Sequence, residues 1–282
     1  MGHAMTFWRA QQRAHAAGGT LILRIEDVDE DRCRTEFTTA LMQDLRWFGI
    51  EWQEGPDNSG PFAPYLQSER HSCYFEAWRT LRAAGFIYPC KCSRKDVIAA
   101  SLAPHDENEE PIYPGTCRPP GFSAGTALPA AETEVVQAIR LPPQAPGPTH
   151  WRFRVADGER IEFFDQRLGN QSAVAGRDFG DFIVWRRDNI PAYQLTAVVD
   201  DAAMQISEVV RGEDLLVSTF RQLLLYRALG LLPPEFVHAP LLLDESGKRL
   251  AKRHGSLSLR RLRECGMGPG ELRALYSCSR SF

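Results

Sequence analysis

Cys90-x-Cys92 followed by Tyr113-x3-Cys117 is the densest group of soft donors in the chain. Three thiolates and one further donor close a tetrahedral zinc shell, and a shell made wholly of protein leaves no open position, so such a site is structural. On spacing alone the fourth donor stays open between the Tyr113 phenolate and His105, imidazole being the commoner zinc ligand. The competing reading, three buried free thiols, fits poorly in a stretch rich in proline and poor in core residues. Cys33, Cys73, Cys265 and Cys278 have no partner spacing and read as ordinary thiols.

Two segments are candidates for phosphate. Gly2-His3 opens a helix, and a helix start presents free N–H groups and a positive dipole end to an anion. Asp244-x-x-Gly247-Lys-Arg-Leu-Ala-Lys252-Arg-His-Gly255 brackets two Lys and two Arg with glycines. Such a loop can clamp the charge that develops on a phosphate in nucleotidyl transfer; taken alone it reads first as a solvated basic turn. Arg24-Ile-Glu26-Asp27-x-Asp29 puts carboxylates at the end of an apolar run, where open α/β sheets hold ligands. Glu26 suits an ammonium, and Asp27 and Asp29 suit a helix cap or Mg2+. Tyr193 and Arg211 flank adjacent strand-like runs, and the Arg211 guanidinium suits bidentate recognition of a carboxylate. Trp185, Arg186 and Arg187 offer a basic, aromatic face for RNA.

The frame that must carry these groups is of globular composition. In 282 residues, 43% are hydrophobic and 24% charged, with a formal net charge of −3. That excludes wholesale disorder and a globally basic nucleic-acid coat. No apolar run approaches the ~18 residues of a membrane span, and no secretory signal is apparent, so a cytoplasmic protein with reduced thiols is expected. Of 33 basic residues only four are Lys. They fall in two clusters, Lys91 and Lys95 among the cysteines, Lys248 and Lys252 in the Gly-bracketed loop.

Periodicity predicts helices over 3–17, 35–48 (closed by Gly49) and 69–84 (closed by Gly85), a fourth over 219–229, and a helical tail after Ser258. Strands are expected at 20–25, 86–88, 151–155, 160–164, 183–185, 194–199 and 207–210, with an extended segment over 236–243. Asp157-Gly158 should turn a hairpin between the fourth and third of these runs. Ten of the 19 prolines lie between Ser101 and His150. The expected organisation is therefore half a parallel α/β domain over 1–89, a metal knuckle and Pro-rich connector over 90–150, the second half over 151–257, and a tail over 258–282.

Taken together the motifs resemble one family. Gly2-His3 resembles the second half of the HIGH signature of class I aminoacyl-tRNA synthetases, and Arg249-Leu-Ala-Lys-Arg253 their KMSKS loop. Leu23-Arg-Ile-Glu-Asp27, Pro191 to Asp201 and Val210 to Leu216 are similar, in order and spacing, to the glutamyl catalytic core. The short distance from Arg253 to Phe282 and the cysteine knuckle are similar to the glutamyl-Q tRNA(Asp) synthetases, short paralogues of the glutamyl-tRNA synthetases. The resemblance implies a Rossmann-like α/β fold with an inserted zinc knuckle. It implies ATP-dependent activation of L-glutamate, with Mg2+, and transfer to the queuosine base of tRNA(Asp), by a monomer without membrane association. Carried over by position, Glu26, Tyr193 and Arg211 hold glutamate, Gly2, His3 and Lys252 serve ATP and catalysis, and Cys90, Cys92, Tyr113 and Cys117 bind structural Zn2+. Two alternatives stand beside it: a clipped glutamyl-tRNA synthetase and a non-catalytic zinc- or RNA-binding protein. The family pattern places a strand, an Arg, a Ser and the first His of HIGH ahead of Met1. A polypeptide starting at Met1 is accordingly expected to be poorly soluble and inactive in glutamate activation.

Overall fold

The computed structural model describes residues 2–29, 32–100, 111–120, 146–241 and 258–277. Along the chain run α1 (Gly2–Ala16), α2 (Thr35–Phe48), α3 (His71–Ala83), β1 (Ile87–Cys90), α4 (Arg94–Ala100), β2 (His150–Phe153), β3 (Arg160–Asp165) and β4 (Gly169–Val174). They are followed by β5 (Phe182–Trp185), α5 (Tyr193–Ala203), β6 (Glu208–Gly212), α6 (Leu216–Leu229), β7 (Glu235–Ala239), α7 (Leu259–Glu264) and α8 (Pro269–Ser277).

The strands form two sheets. One has the order β4-β3-β7-β6, with β6 and β7 parallel, β3 and β7 parallel, and β4 antiparallel to β3. Parallel neighbours need a crossover, and α6 supplies it between β6 and β7. The other is a three-stranded antiparallel sheet, β1-β2-β5. The α/β class with parallel pairing is as expected, although the sheet of the body is mixed.

Helix ends obey local rules. Gly49 closes α2 in the left-handed region at φ 95°, its N–H returned to the Arg46 and Leu45 carbonyls. A side chain there would be strained, which is why glycine ends the helix. The main core joins both sheets to α3, α5 and α6 through Trp78, Trp151, Trp185, Leu195, Phe220 and Phe236. A second cluster packs Ala4 and Met5 of α1 and Leu45 and Phe48 of α2 against Leu262 and Leu272 of the helical tail.

Four expectations are corrected. Residues 194–199 are not a strand but the heart of α5. Their β-branched composition favours a strand, but tertiary burial overrides such propensities. The helix also lets Asp200 and Asp201 both reach Arg24, at 3.6 and 2.7 Å, whereas a strand would send adjacent side chains to opposite faces. The 151–155 and 160–164 runs do not pair with each other: β2 joins β1 and β5, and the hairpin partner of β3 is β4. Residues 20–25 are extended but make only isolated parallel bridges, Ile22 to Glu54 and Ile25 to Leu66. Finally, Trp185 is fully buried among Trp78, Phe75 and His71 rather than on an RNA-facing surface.

Candidate active site and thiol centre

A single large cleft, about 2820 Å³, brings together Gly2, His3, Glu26, Tyr193 and Arg211, residues from four distant parts of the sequence. A drug-sized ligand fills ~300–1,000 Å³, so the cleft has room for more than one substrate. The start of α1 delivers Gly2 and His3 to one wall, where His3 lies beside the half-exposed Phe7 ring. Gly2 faces open space, since a Cβ there would meet nothing within 4 Å. Lys252 and the rest of the Gly-bracketed loop lie outside the described residues; Leu241 before it and Ser258 after it both line the cleft.

The floor is built from charge. Tyr193 is the first residue of α5, and its phenol lies close enough to Arg211 to feel the guanidinium charge. Burial pushes that phenol above its ordinary pKa while Arg211 pulls the other way. Arg211, on β6, is only 7% exposed, and its hydrogen-bond partners are all neutral: Thr219 Oγ1 at 2.6 Å, Gln222 Oε1 at 2.7 Å and His238 Nε2 at 3.3 Å, with the Phe236 ring at 5.0 Å. A buried guanidinium held by neutral dipoles at the edge of a cleft is an anion site, because burying an uncompensated charge is costly and a bound carboxylate relieves it.

Beside it, Arg24 is tied to Asp201, Asp200 and Glu26, at 2.7, 3.6 and 3.2 Å. Burial lowers its pKa, but the carboxylates outweigh that and keep it charged. Glu26 is 45% exposed in its side chain and lines the cleft. Asp200 is fully buried and accepts from Gln67 Nε2 at 2.8 Å, Arg70 Nε at 2.6 Å and the Tyr74 hydroxyl at 2.8 Å. Asp27 and Asp29 do not cap α2, whose N-cap residue Arg34 makes no side-chain cap. Asp27 instead accepts from the Ser68 N–H and hydroxyl, and Asp29 pairs with Arg186 at 2.9 Å. The partners of Arg211 (Thr219, Gln222 and His238) escaped the sequence reading, because each is an ordinary residue until tertiary pairing surrounds one guanidinium with them.

The thiols form a second centre. Cys90, Cys92 and Cys117 have sulfurs all within 4.8 Å of one another, the Cys92–Cys117 separation being 3.6 Å. The Tyr113 hydroxyl lies 3.4 Å from the Cys90 sulfur and 3.5 Å from that of Cys92. A tetrahedral zinc with ~2.3 Å bonds sets sulfurs about 3.8 Å apart, so this donor set fits such an ion. A backbone hydrogen bond from Lys91, aided by Tyr113 and the other thiols, pulls the Cys117 thiol down to about 7 against burial. Burial, with Cys90 and Cys92, pushes the Tyr113 phenol up. His105, the rival fourth donor, lies outside the described residues. The centre is braced to the body by Arg152 of β2, which donates to the Cys90 sulfur at 3.3 Å and stacks on the Tyr113 ring at 3.9 Å. Arg118 adds a bridge to the buried Asp181 at 2.7 Å.

A family model for the catalytic domain of class I tRNA synthetases (E and Q) matches residues 1–273. The chain belongs to this family. It is 46% identical over 270 residues to a glutamyl-Q tRNA(Asp) synthetase of Symbiobacterium thermophilum, spanning 95% of this chain and 79% of that protein. It is 41% identical over 256 residues to a glutamate–tRNA ligase of Halorhodospira halophila, spanning 91% of this chain but 50% of that one. Among solved structures, a glutamate tRNA ligase from Elizabethkingia meningosepticum, in complex with its amino acid, superposes with TM-score 0.68 at 28% identity over 90% of this chain and 49% of that one. As a class I synthetase, the chain is an ATP-dependent aminoacyl-tRNA synthetase-like ligase, with ATP and tRNA as expected partners. Among the described residues no helix is long and apolar enough to cross a membrane.

Proposed function

We propose that this synthetase activates L-glutamate with ATP and transfers it to the queuosine base of tRNA(Asp). The observation that carries the amino-acid half is Arg211: a buried guanidinium with neutral hydrogen-bond partners, lining the cleft together with Tyr193. Arg211 and Tyr193 receive a carboxylate of glutamate, and Glu26 receives its ammonium. A carboxylate oxygen attacks the α-phosphorus of ATP, the bond to the β-phosphate breaks, and pyrophosphate leaves with its electron pair. The acceptor hydroxyl then attacks the acyl carbon and AMP departs. No side chain is needed as a nucleophile; positioning and charge stabilisation carry the rate. Gly2 and His3 at the start of α1, together with Lys252, serve the phosphates of ATP, which arrives with Mg2+.

The acceptor half is supported by relatives: the chain is 46% and 43% identical to two glutamyl-Q tRNA(Asp) synthetases, against 41% to each of two glutamate–tRNA ligases. Cys90, Cys92, Tyr113 and Cys117 hold a structural zinc, supported by the fit of their separations; that ion supplies folding energy to its segment. The test has two arms. Glutamate-dependent exchange of pyrophosphate into ATP is expected from folded protein that carries the family's upstream strand and first His, and its absence there would sink the activation step. Labelled glutamate should then be captured by queuosine-containing tRNA(Asp) even after its terminal adenosine is removed. It should not be captured by tRNA(Asp) with guanosine at the wobble position. Capture that needs only the terminal adenosine would make the chain a glutamate–tRNA ligase instead.

A further inference from the structure

Arg211 and His238 lie opposite each other in the parallel register of β6 and β7. Both are buried, His238 completely. On its far side, His238 Nδ1 is 2.6 Å from Asp165 Oδ2, and Asp165 is also fully buried. The Asp165 carboxylate accepts the backbone N–H groups of Arg167 at 3.0 Å, Leu168 at 2.7 Å and His238 at 3.0 Å. Burial raises its pKa, but these bonds and His238 outweigh that and keep it below the usual range, so it is ionised.

An ionised carboxylate only accepts, so the proton of His238 must sit on Nδ1. The lone pair is then on Nε2, where Arg211 Nε–H arrives at 3.3 Å and the Thr219 hydroxyl at 2.8 Å. The other neutral tautomer would face two acceptors across 2.6 Å and two N–H donors across 3.3 Å. The imidazolium would set an N–H and a positive charge against the guanidinium. The charged and titratable groups around the ring agree. Burial lowers the pKa of His238, Arg211 of β6 and Arg167 after β3 lower it further, and Asp165 opposes them; the net direction is down. Arg167 also donates to the His238 carbonyl and pairs with Glu213, so its charge is held in place. From α6 come the neutral groups Thr219 and Gln222, and Phe163 and Phe236 flank the imidazole.

We infer that Asp165 and His238 are positioning residues for Arg211: they hold a neutral, Nδ1-protonated imidazole whose Nε2 lone pair fixes the guanidinium that receives the amino acid, and acid that protonates His238 withdraws that support. The inference rests on the proposed role of Arg211 in binding glutamate. Its consequence is a pH-dependence of amino-acid affinity that originates one residue behind the pocket wall.

The test uses the full chain. Long-range 15N–1H correlation spectra of 15N-labelled protein, with His238 assigned through the backbone, report the tautomer without any ligand. The neutral Nδ1–H form is expected at about pH 7; an Nε2–H tautomer or an imidazolium there would overturn the inference, and this reading stands even if a variant fails to fold. Glutamate titrations of wild type between about pH 5 and 8 should then show affinity falling on the acid side, at the midpoint of the His238 resonances. In His238→Gln an amide oxygen can still accept from Arg211 but does not titrate. It should bind glutamate roughly three- to tenfold more weakly at about pH 7.5, the loss attached to one hydrogen bond, and the acid limb should vanish. An acid limb unchanged in His238→Gln would overturn the inference. If Arg211→Ala binds glutamate as wild type does, it is instead the functional reading of Arg211 that fails.

Discussion

The floor of the cleft and the thiol centre gather their polar groups in opposite ways. At the centre, four donors come from 28 consecutive positions, Cys90 to Cys117, and among the described residues the buried apolar cluster around them is small: Tyr88, Cys90, Val97 and Tyr113. At the cleft floor, Arg24, Asp200, Asp201 and Arg211 are ion-paired or hydrogen-bonded to residues up to 177 positions away and are embedded in the main core. On the proposed reading, a bound zinc supplies the short-range centre with folding energy that its small apolar cluster does not. A long-range charge network needs the whole fold to pre-place its members, and in return the fold depends on the network. Damage should therefore stay local at the thiols and spread from the floor.

The sharpest way to break that contrast is at the thiols. Replacing Cys90 and Cys92 by Ser should take the zinc content from about one ion per chain to none. Hydrogen exchange should quicken over residues 87–120 while the strands β6 and β7 keep their protection. Full zinc retention, measured by elemental analysis of protein purified without chelator, would refute the site. Loosening that reaches β6 would refute its independence.

Next in size is Asp200→Ala. It leaves the guanidiniums of Arg70 and Arg24 short of a buried carboxylate, and removing one partner of such a network costs about 3–5 kcal/mol. Urea unfolding should show that loss over the whole body; a change within ~0.5 kcal/mol would mean that the network is decorative. Arg211→Ala should cost about 2–5 kcal/mol in glutamate binding, the range for deleting one member of a buried charge pair. Its effect on stability should be smaller, since its hydrogen-bond partners are neutral. Calorimetric titration with glutamate decides it.

A gentler effect comes with acid. The pKa of His238 is lowered on folding, so the unfolded chain binds that proton more readily. Stability from this group is complete above the ordinary histidine value of about 6.5 and declines as pH falls below it towards the folded value. Denaturation midpoints measured from about pH 7.5 down to 5.5 should fall, and His238→Gln should flatten the decline. The smallest effect belongs to the rim. Arg13 and Glu208 pair at 2.6 Å between α1 and β6 with the Arg side chain 43% exposed. Glu208→Gln should cost ~1 kcal/mol or less, and less still in high salt.

How much could be read beforehand differs between the two regions for the same reason. Cys90, Cys92 and Cys117 announce themselves by type and spacing, and the structure gathers them with Tyr113. Glu26, Tyr193 and Arg211 were legible through family wording and do share one cleft. Their supports were not: Thr219, Gln222, His238 and Asp165 belong to no motif, and 194–199 looked like a strand because Val198 and Val199 carry a β-prone signal.

The sequence by itself determined the α/β class, the helices α2 and α3 and their glycine stops, the thiol spacing and the family blocks. These are matters of periodicity, of backbone freedom at residues such as Gly49, and of side-chain chemistry, all encoded within a few positions. Only the tertiary structure decided that Tyr193 opens a helix, that β3 turns to β4 rather than β2, and that Asp165, His238 and Arg211 stand in line across β3, β7 and β6. Strand order and helix burial are set by which apolar faces can be covered together and which buried charges can find partners. Those are sums over the whole molecule, and no local window contains them.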